Sequence, residues 1–177
     1  KQSSYGKIFQ FMLVDDVMDI VDAEHGNYRI QKSPFMVNDV CRNAMQMAEM
    51  RLQAAVKLYF TSDVADDYTL NTDERRIQQV LVNFLTNACK HTQKGEIHLH
   101  VSTSENPGRL TFSVTDTGEG VAPEAAKDIF LRYKKAHNNI QGSGIGLHIC
   151  SIIAEKLGAE IKLDQSYTNG ARFLFII

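Results

Sequence analysis

Three sets of residues have types and spacings that can do chemistry. Within "QQVLVNFLTNACKHT" (residues 78–92), Asn83, Asn87 and Lys90 stand at i, i+4 and i+7. On a helix that spacing puts them on one stripe, bordering an apolar face of Ile77, Val80, Leu81, Phe84, Leu85 and Ala88. Asparagine is a poor helix former, so two of them stacked beside a core weaken the helix without adding packing. An amide oxygen there can ligate a hard cation such as Mg2+, and Lys90 would sit near the negative charge that the cation balances. A solvated polar border is the plain alternative. The second set is Asp116, which closes "RLTFSVTD" (109–116) and shares parity with Leu110, Phe112 and Val114. Its carboxylate therefore faces the core side of a strand and needs a hydrogen-bond donor. Gly118 and Gly120 in "DTGEGV" turn the chain away, leaving room for an exocyclic amine such as that of adenine. A carboxylate capping its own turn would look similar.

The third set is "GSGIGL" (142–147), with Gly142, Gly144 and Gly146 directly before the apolar run "HICSIIAEKL". Glycine weakens a helix start unless the backbone must approach something closely, and exposed N–H groups at a helix start attract phosphate. Simple chain reversal is the alternative. The spacing is not G-x-G-x-x-G, because Leu147 holds the third glycine's place, and no Gly-Lys-Ser/Thr follows to make a Walker A loop. Just upstream, "DIFLRYKKAHNNIQ" (128–141) brings Arg132, Lys134 and Lys135 into a long irregular stretch, either a cationic lid or a solvated loop.

The elements that must hold these residues are legible in outline. Residues 1–25 read as a helix, with Phe11, Val14, Met18 and Val21 at the 3-4-3 spacing of a coiled-coil or hairpin seam. A strand "NYRIQ" and a breaker "SPF" follow, then a long amphipathic helix with Val37, Val40, Cys41, Ala44, Ala48, Leu52 and Ala55 on one face. "VKLYFTS" reads as a strand, and Asn71 with Glu74 three residues on resembles a capping box for the helix that runs to about His91. "EIHLHVS" and "RLTFSVTD" alternate and should pair antiparallel across "ENPG". A short helical stretch near "APEAAKDIF", a helix ended by Gly158, and strands "AEIKLD" and "ARFLFII" complete the chain. This order predicts an α+β two-layer sandwich, a mixed sheet with helices on one face.

The 177 residues suit one globular domain with an appended element, and 44% apolar residues suffice for a core. A net charge of −2 points away from nucleic acid, and no apolar run reaches the ~18 residues of a membrane span. Cys41, Cys89 and Cys150 are scattered in apolar helical contexts, which favours reduced core thiols and a cytoplasmic setting over a disulfide framework. His98 and His100 alternate outward on one strand, which raises a metal pair only as a minor reading.

Taken together, Asn-x-x-x-Asn on a helix, Asp-x-Gly-x-Gly after a strand, a Phe-containing basic stretch and Gly-x-Gly-x-Gly opening a helix closely resemble one family. It is the catalytic ATP-binding domain of bacterial sensor histidine kinases (the Bergerat-type fold shared with gyrase, the mismatch-repair ATPases and a heat-shock chaperone). "QQVLVNFLTNACKHT" is similar to its N box, "DTGEGV" to its G1 box, "IFLRY" to its F box and "GSGIGL" to its G2 box. The resemblance implies that Asn87 holds Mg2+ with Asn83 beside it, that Lys90 contacts phosphate, and that His91 lines the nucleotide pocket. It further implies that Asp116 binds the adenine amine and that Gly118, Gly120 and Val121 shape that pocket. Phe130 and Arg132 would belong to the lid, Arg132 reaching the γ-phosphate. Gly142, Ser143, Gly144, Ile145, Gly146 and Leu147 would wrap the phosphates.

The implied function is Mg-ATP binding and transfer of the γ-phosphoryl group to a histidine on a dimerisation hairpin, for relay to a response-regulator receiver domain. Asn83, Lys90 and Arg132 would carry that transfer. Residues 1–25 resemble the end of the hairpin's second helix, and 26–177 the ATP-binding domain; the parent protein would form a homodimer and, as is common in this family, be anchored in the inner membrane. None of the six histidines is followed by an acidic residue as the family's acceptor is, so the acceptor is expected upstream of Lys1. Ala171 stands where the family usually has threonine. Relatives that hydrolyse ATP usually carry glutamate at the Asn83 position, and an amide cannot act as general base for water. A hydrolytic clamp and a non-catalytic nucleotide-binding module are the alternatives.

Overall fold

In the computed structural model, residues 3–131 and 144–177 are described, with side chains from Val14 onward. In chain order the elements are α1 (Ser3–Glu24), β1 (Ser33–Met36), α2 (Val37–Glu49), β2 (Val56–Ser62), β3 (Thr69–Thr72), α3 (Glu74–His91), β4 (Gly95–Ser102), β5 (Thr111–Asp116), α4 (Pro123–Ala126), α5 (Gly146–Leu157), β6 (Glu160–Leu163) and β7 (Ala171–Ile176).

Alternation in the strand sequences builds the larger sheet, ordered β2-β4-β5-β7-β6. β2 runs parallel to β4 and the other neighbours are antiparallel, so the sheet is mixed. Ile97, Leu99, Val101, Phe112, Val114, Phe173 and Phe175 are all buried. They share the sheet face that packs on α3, whose Phe84 ring lies 5.3 Å from that of Phe173. Thr61, His98, His100, Thr115 and Arg172 share the opposite, more accessible face. α2 and α5 flank α3 on the helical side. The result is the two-layer sandwich expected from the element order.

Several local expectations are corrected. "NYRIQ" is not a strand; the strand is β1, which includes the supposed breaker "SPF" and pairs antiparallel with β3, Phe35 opposite Leu70. Pro34 is tolerated because this two-stranded ribbon is all edge. α2 stops at Glu49, so Leu52 and Ala55 lie beyond the amphipathic face. Asn71 belongs to β3, and the cap of α3 is Asp73, whose Oδ1 accepts the Arg76 N–H while its Oδ2 accepts that of Gln31. Gly158, at φ 67°, ends α5 as expected.

α1 presents two different sides. Val14, Val17, Met18 and Val21 are exposed, while Asp16, Asp19 and Ile20 are buried; the Phe11 side chain of the expected seam lies outside the described residues. The buried side meets α3 through polar groups. The Arg76 guanidinium lies 2.5 Å from Asp19, and the Gln79 amide donates to Asp16 at 2.7 Å and Asp19 at 3.0 Å. Arg76 also covers the Tyr28 ring, 4.5 Å from its centroid. Burial pushes the Asp16 carboxyl up to about 6, with neighbouring Asp19 and Asp15 adding to the shift against Gln79 and Arg76. All three cysteines are buried and free, and burial pushes the Cys89 thiol up to about 11, so they are poor nucleophiles. No helix among the described residues is long and apolar enough to cross a membrane.

Candidate functional site

The end of β5 delivers Asp116 to the helical side of the sheet, 3% exposed. Its Oδ1 accepts the backbone N–H of Gly118 at 2.8 Å and of Ala171 at 3.3 Å, leaving Oδ2 free of backbone donors. Burial raises its pKa, and those two hydrogen bonds, with His91 and Thr92 nearby, pull it partly back. The carboxylate is thus fixed through Oδ1 by two backbone donors. Ala171 contributes to this through its backbone, which does not depend on the threonine side chain the family usually has there. Gly170, at φ 148°, has no room for a Cβ, which would collide with the Asp116 carbonyl. The chain entering β7 therefore lies directly against the carboxylate's own backbone.

The turn after β5 lies on the end of α3. A Cβ on Gly118 would collide with the His91 carbonyl and sit 2.9 Å from Thr92 Oγ1. The Glu119 N–H donates to that same carbonyl at 3.4 Å, and the Glu119 carboxylate lies 2.6 Å from His91 Nδ1. Gly120 takes φ 74°, and a Cβ there would be 2.9 Å from the Gly170 carbonyl. Val121 is half-buried and packs on the core. A cleft of about 260 Å³ adjoins this turn, lined by Gly120, Val121, Pro123, Leu163 and Tyr167 among others.

α3 links this turn to the start of α5. Asn83 is half-buried, and a Cβ on Gly146 would lie 3.2 Å from its Oδ1, so the bare glycine lets the α5 start rest on that amide. Asn87 is half-buried one turn on, and Lys90 is exposed beyond it. Partial desolvation lowers the Lys90 pKa and Glu119 opposes that shift. Gly144 takes φ 67°, the left-handed conformation in which glycine is at ease. Ile145 and Leu147 are half-buried and pack on the core. Phe130 stands edge-on to Phe173 at 6.1 Å, and its carbonyl lies 3.3 Å from His148 Nδ1 in α5. Arg132, Gly142 and Ser143, like Lys134 and Lys135, lie outside the described residues.

Among the described residues, Asn83 Nδ2 and Thr92 Oγ1 are buried without a well-formed hydrogen bond, although Thr92 lies close enough to Asp116, and Asn83 to Cys150, to favour the ionised form of each. Thr92 is a site residue that the sequence pattern does not mark. It follows the last residue of α3 and becomes relevant only because the turn at Gly118 folds onto it. The amide oxygens of Asn83 and Asn87 suit a hard, oxygen-preferring cation, and the inward carboxylate suits an amine.

The fold agrees with what comparisons show. Residues 72–177 match the family described as histidine kinase-, DNA gyrase B-, and HSP90-like ATPases. The chain belongs to that family. Among curated relatives it is 29% identical to the autoinducer 2 sensor kinase/phosphatase LuxQ of Vibrio cholerae, over 91% of this chain and 20% of LuxQ. It is 27% identical to the sensor protein EvgS of Escherichia coli O157:H7, over 93% of this chain and 14% of EvgS. It thus spans from 7% to 24% of the length of the curated relatives first matched. Among solved structures, full-length ShkA in complex with AMPPNP superposes with a TM-score of 0.78 at 28% identity, covering 94% of this chain and 35% of that one. The catalytic domain of histidine kinase ThkA gives 0.73 at 27% identity, covering 83% and 95%. The domain is of the histidine-kinase catalytic type within the wider ATPase family.

Proposed function

We propose that this chain binds Mg-ATP against the wall formed by α3, the Asp116 turn and the start of α5, and directs the γ-phosphoryl group to a histidine on a dimerisation hairpin. The observation that carries this reading is the buried Asp116 carboxylate, held on one oxygen by two backbone donors where the turn after β5 lies on the end of α3. The AMPPNP in complex with full-length ShkA supports a nucleotide as occupant.

Each group has a task. Asp116 accepts from the adenine amine, with Thr92 in reach of the same end and Gly118, Gly120 and Val121 giving the ring its space. Asn87, with Asn83 beside it, would hold Mg2+, which neutralises phosphate charge when bound. Lys90 adds a positive charge one turn on. The start of α5, where Gly144 and Gly146 let the backbone come close, is proposed to bring N–H groups to phosphate. Arg132, Gly142 and Ser143 are proposed to complete the phosphate contacts, and Phe130 to tie the lid's near end to α5 and Phe173. His91 borders the pocket and is held by Glu119.

Asn83 separates transfer from hydrolysis. An amide cannot deprotonate water, whereas an imidazole nitrogen is already a nucleophile and needs mainly positioning and charge neutralisation. α1 is read as the end of the hairpin's second helix: its exposed Val14, Val17, Met18 and Val21 form an apolar strip facing away from the domain. The phosphoryl group would then pass to a receiver domain of a response regulator. Mixing the chain with a separate protein that carries the acceptor hairpin and γ-labelled ATP tests the reading. Labelled phosphohistidine on the partner is the expected product. Free phosphate alone would favour a hydrolytic clamp, and no product a binding module.

A further inference from the structure

On the sheet face turned away from the helices, His98 and His100 stand two residues apart in β4, so both rings project to the same side. Parallel pairing sets Thr61 of β2 beside His100. The Thr61 hydroxyl lies 2.6 Å from His98 Nε2 and 2.7 Å from His100 Nδ1, with the two ring centroids 5.8 Å apart. One nitrogen from each ring therefore converges on a single point. The other nitrogen of His100, Nε2, lies 3.2 Å from Asp63 Oδ2, and Asp63 is itself pinned by its N–H to the Val101 carbonyl at 2.9 Å. A carboxylate on the far nitrogen is what orients a histidine and fixes its tautomer when its near nitrogen ligates a metal. A single hydroxyl, with one proton to give, fills the point of convergence only in a restricted set of tautomers.

We propose that His98 Nε2 and His100 Nδ1, with Asp63 behind His100, bind a late first-row divalent cation such as Zn2+, the Thr61 hydroxyl turning aside to admit it. Imidazole pairs suit Zn2+, Cu2+ and Ni2+ rather than Mg2+, so this site and the amide pair in α3 select different ions. Among the described residues no group of three or more His, Cys, Asp and Glu side chains converges to hold a metal. Water would fill the remaining coordination positions, as in an open site. Thr61 is exposed and both histidines are half-exposed, so an ion reaches them from solvent. The site lies behind the strand that carries Asp116, since His98 pairs with Thr115, and its occupancy can be read without nucleotide.

Zinc titration of the full chain by calorimetry with a competing chelator, without nucleotide at pH 7.5, tests the proposal, and Co2+ gives a parallel visible spectrum. The expected result is saturable uptake of one equivalent. His98→Asn and His100→Asn should each weaken it at least about tenfold, and Asp63→Asn roughly tenfold, the usual effect of losing an orienting partner. Thr61→Val should bind as tightly as the wild type or more tightly, because the competing hydroxyl is gone. Circular dichroism confirms that each variant is folded. No saturable uptake, equal uptake by a folded His98→Asn/His100→Asn double variant, or a loss in Thr61→Val as large as that in His98→Asn would overturn it.

Discussion

Asp16→Asn is the perturbation whose effect can be worked most directly from the structure. Asp16 is 7% exposed on the inner side of α1, accepts from Gln79 at 2.7 Å, and has its carboxyl pushed from an ordinary 3.8 up to about 6, chiefly by burial. A carboxyl whose folded pKa is raised holds its proton longer in the folded state. Folding is therefore unaffected below about pH 4 and is progressively weakened as pH rises to about 6, above which the full penalty stands. A shift of about two units corresponds to roughly 3 kcal/mol, at 1.36 kcal/mol per unit. An asparagine retains an acceptor for Gln79 but never ionises. Urea denaturation of both proteins at pH 4.5 and pH 7.5, or hydrogen exchange of the α1 amides, measures the difference. Asp16→Asn should be the more stable protein at pH 7.5, by up to about 3 kcal/mol, and the gap should shrink towards pH 4.5. Parallel pH profiles for the two proteins would refute the reasoning.

Two further outcomes follow from the site. Gly170→Ala adds a Cβ that collides with the Asp116 carbonyl at a φ of 148°, and should lose more than about 2 kcal/mol in chemical denaturation. Asn87→Ala should remove most of the Mg2+ dependence of nucleotide binding while leaving metal-free binding nearly unchanged, as fluorescence with a nucleotide analogue would show.

The sequence and the structure agree most closely where the signal is local and periodic. The apolar stripe of α3, the alternation of β4 and β5 that turns Asp116 inward, and the αL glycine at the end of α5 each follow from spacing alone. They disagree where a partner distant in sequence decides. Ser33–Met36 is a strand because Thr69–Thr72 pairs with it, against the local breaker signal of Pro34. Asp73 takes the cap expected of Asn71 because β3 claims Asn71. Asp16 and Asp19 look like the wet side of a seam helix until Arg76 and Gln79, about sixty residues on, are seen to receive them. Thr92 joins the site only through the fold of the Gly118 turn. Among the site residues expected from sequence, the structure brings Asn83 to Gly146, and Asp116 and Gly118 to the end of α3, an assembly that no single motif's spacing implies.

Whether the wall around Asp116 takes a purine nucleotide decides the proposed function. Calorimetric titration of the chain with AMPPNP and Mg2+, alongside Asp116→Asn, tests this most directly. Losing a hydrogen bond to a charged acceptor, worth about 1.5–3 kcal/mol, should weaken binding roughly 10- to 100-fold in the folded variant. Saturable one-site binding in the wild type with that loss in Asp116→Asn is the predicted result; absence of binding, or equal affinity in the two proteins, would contradict it.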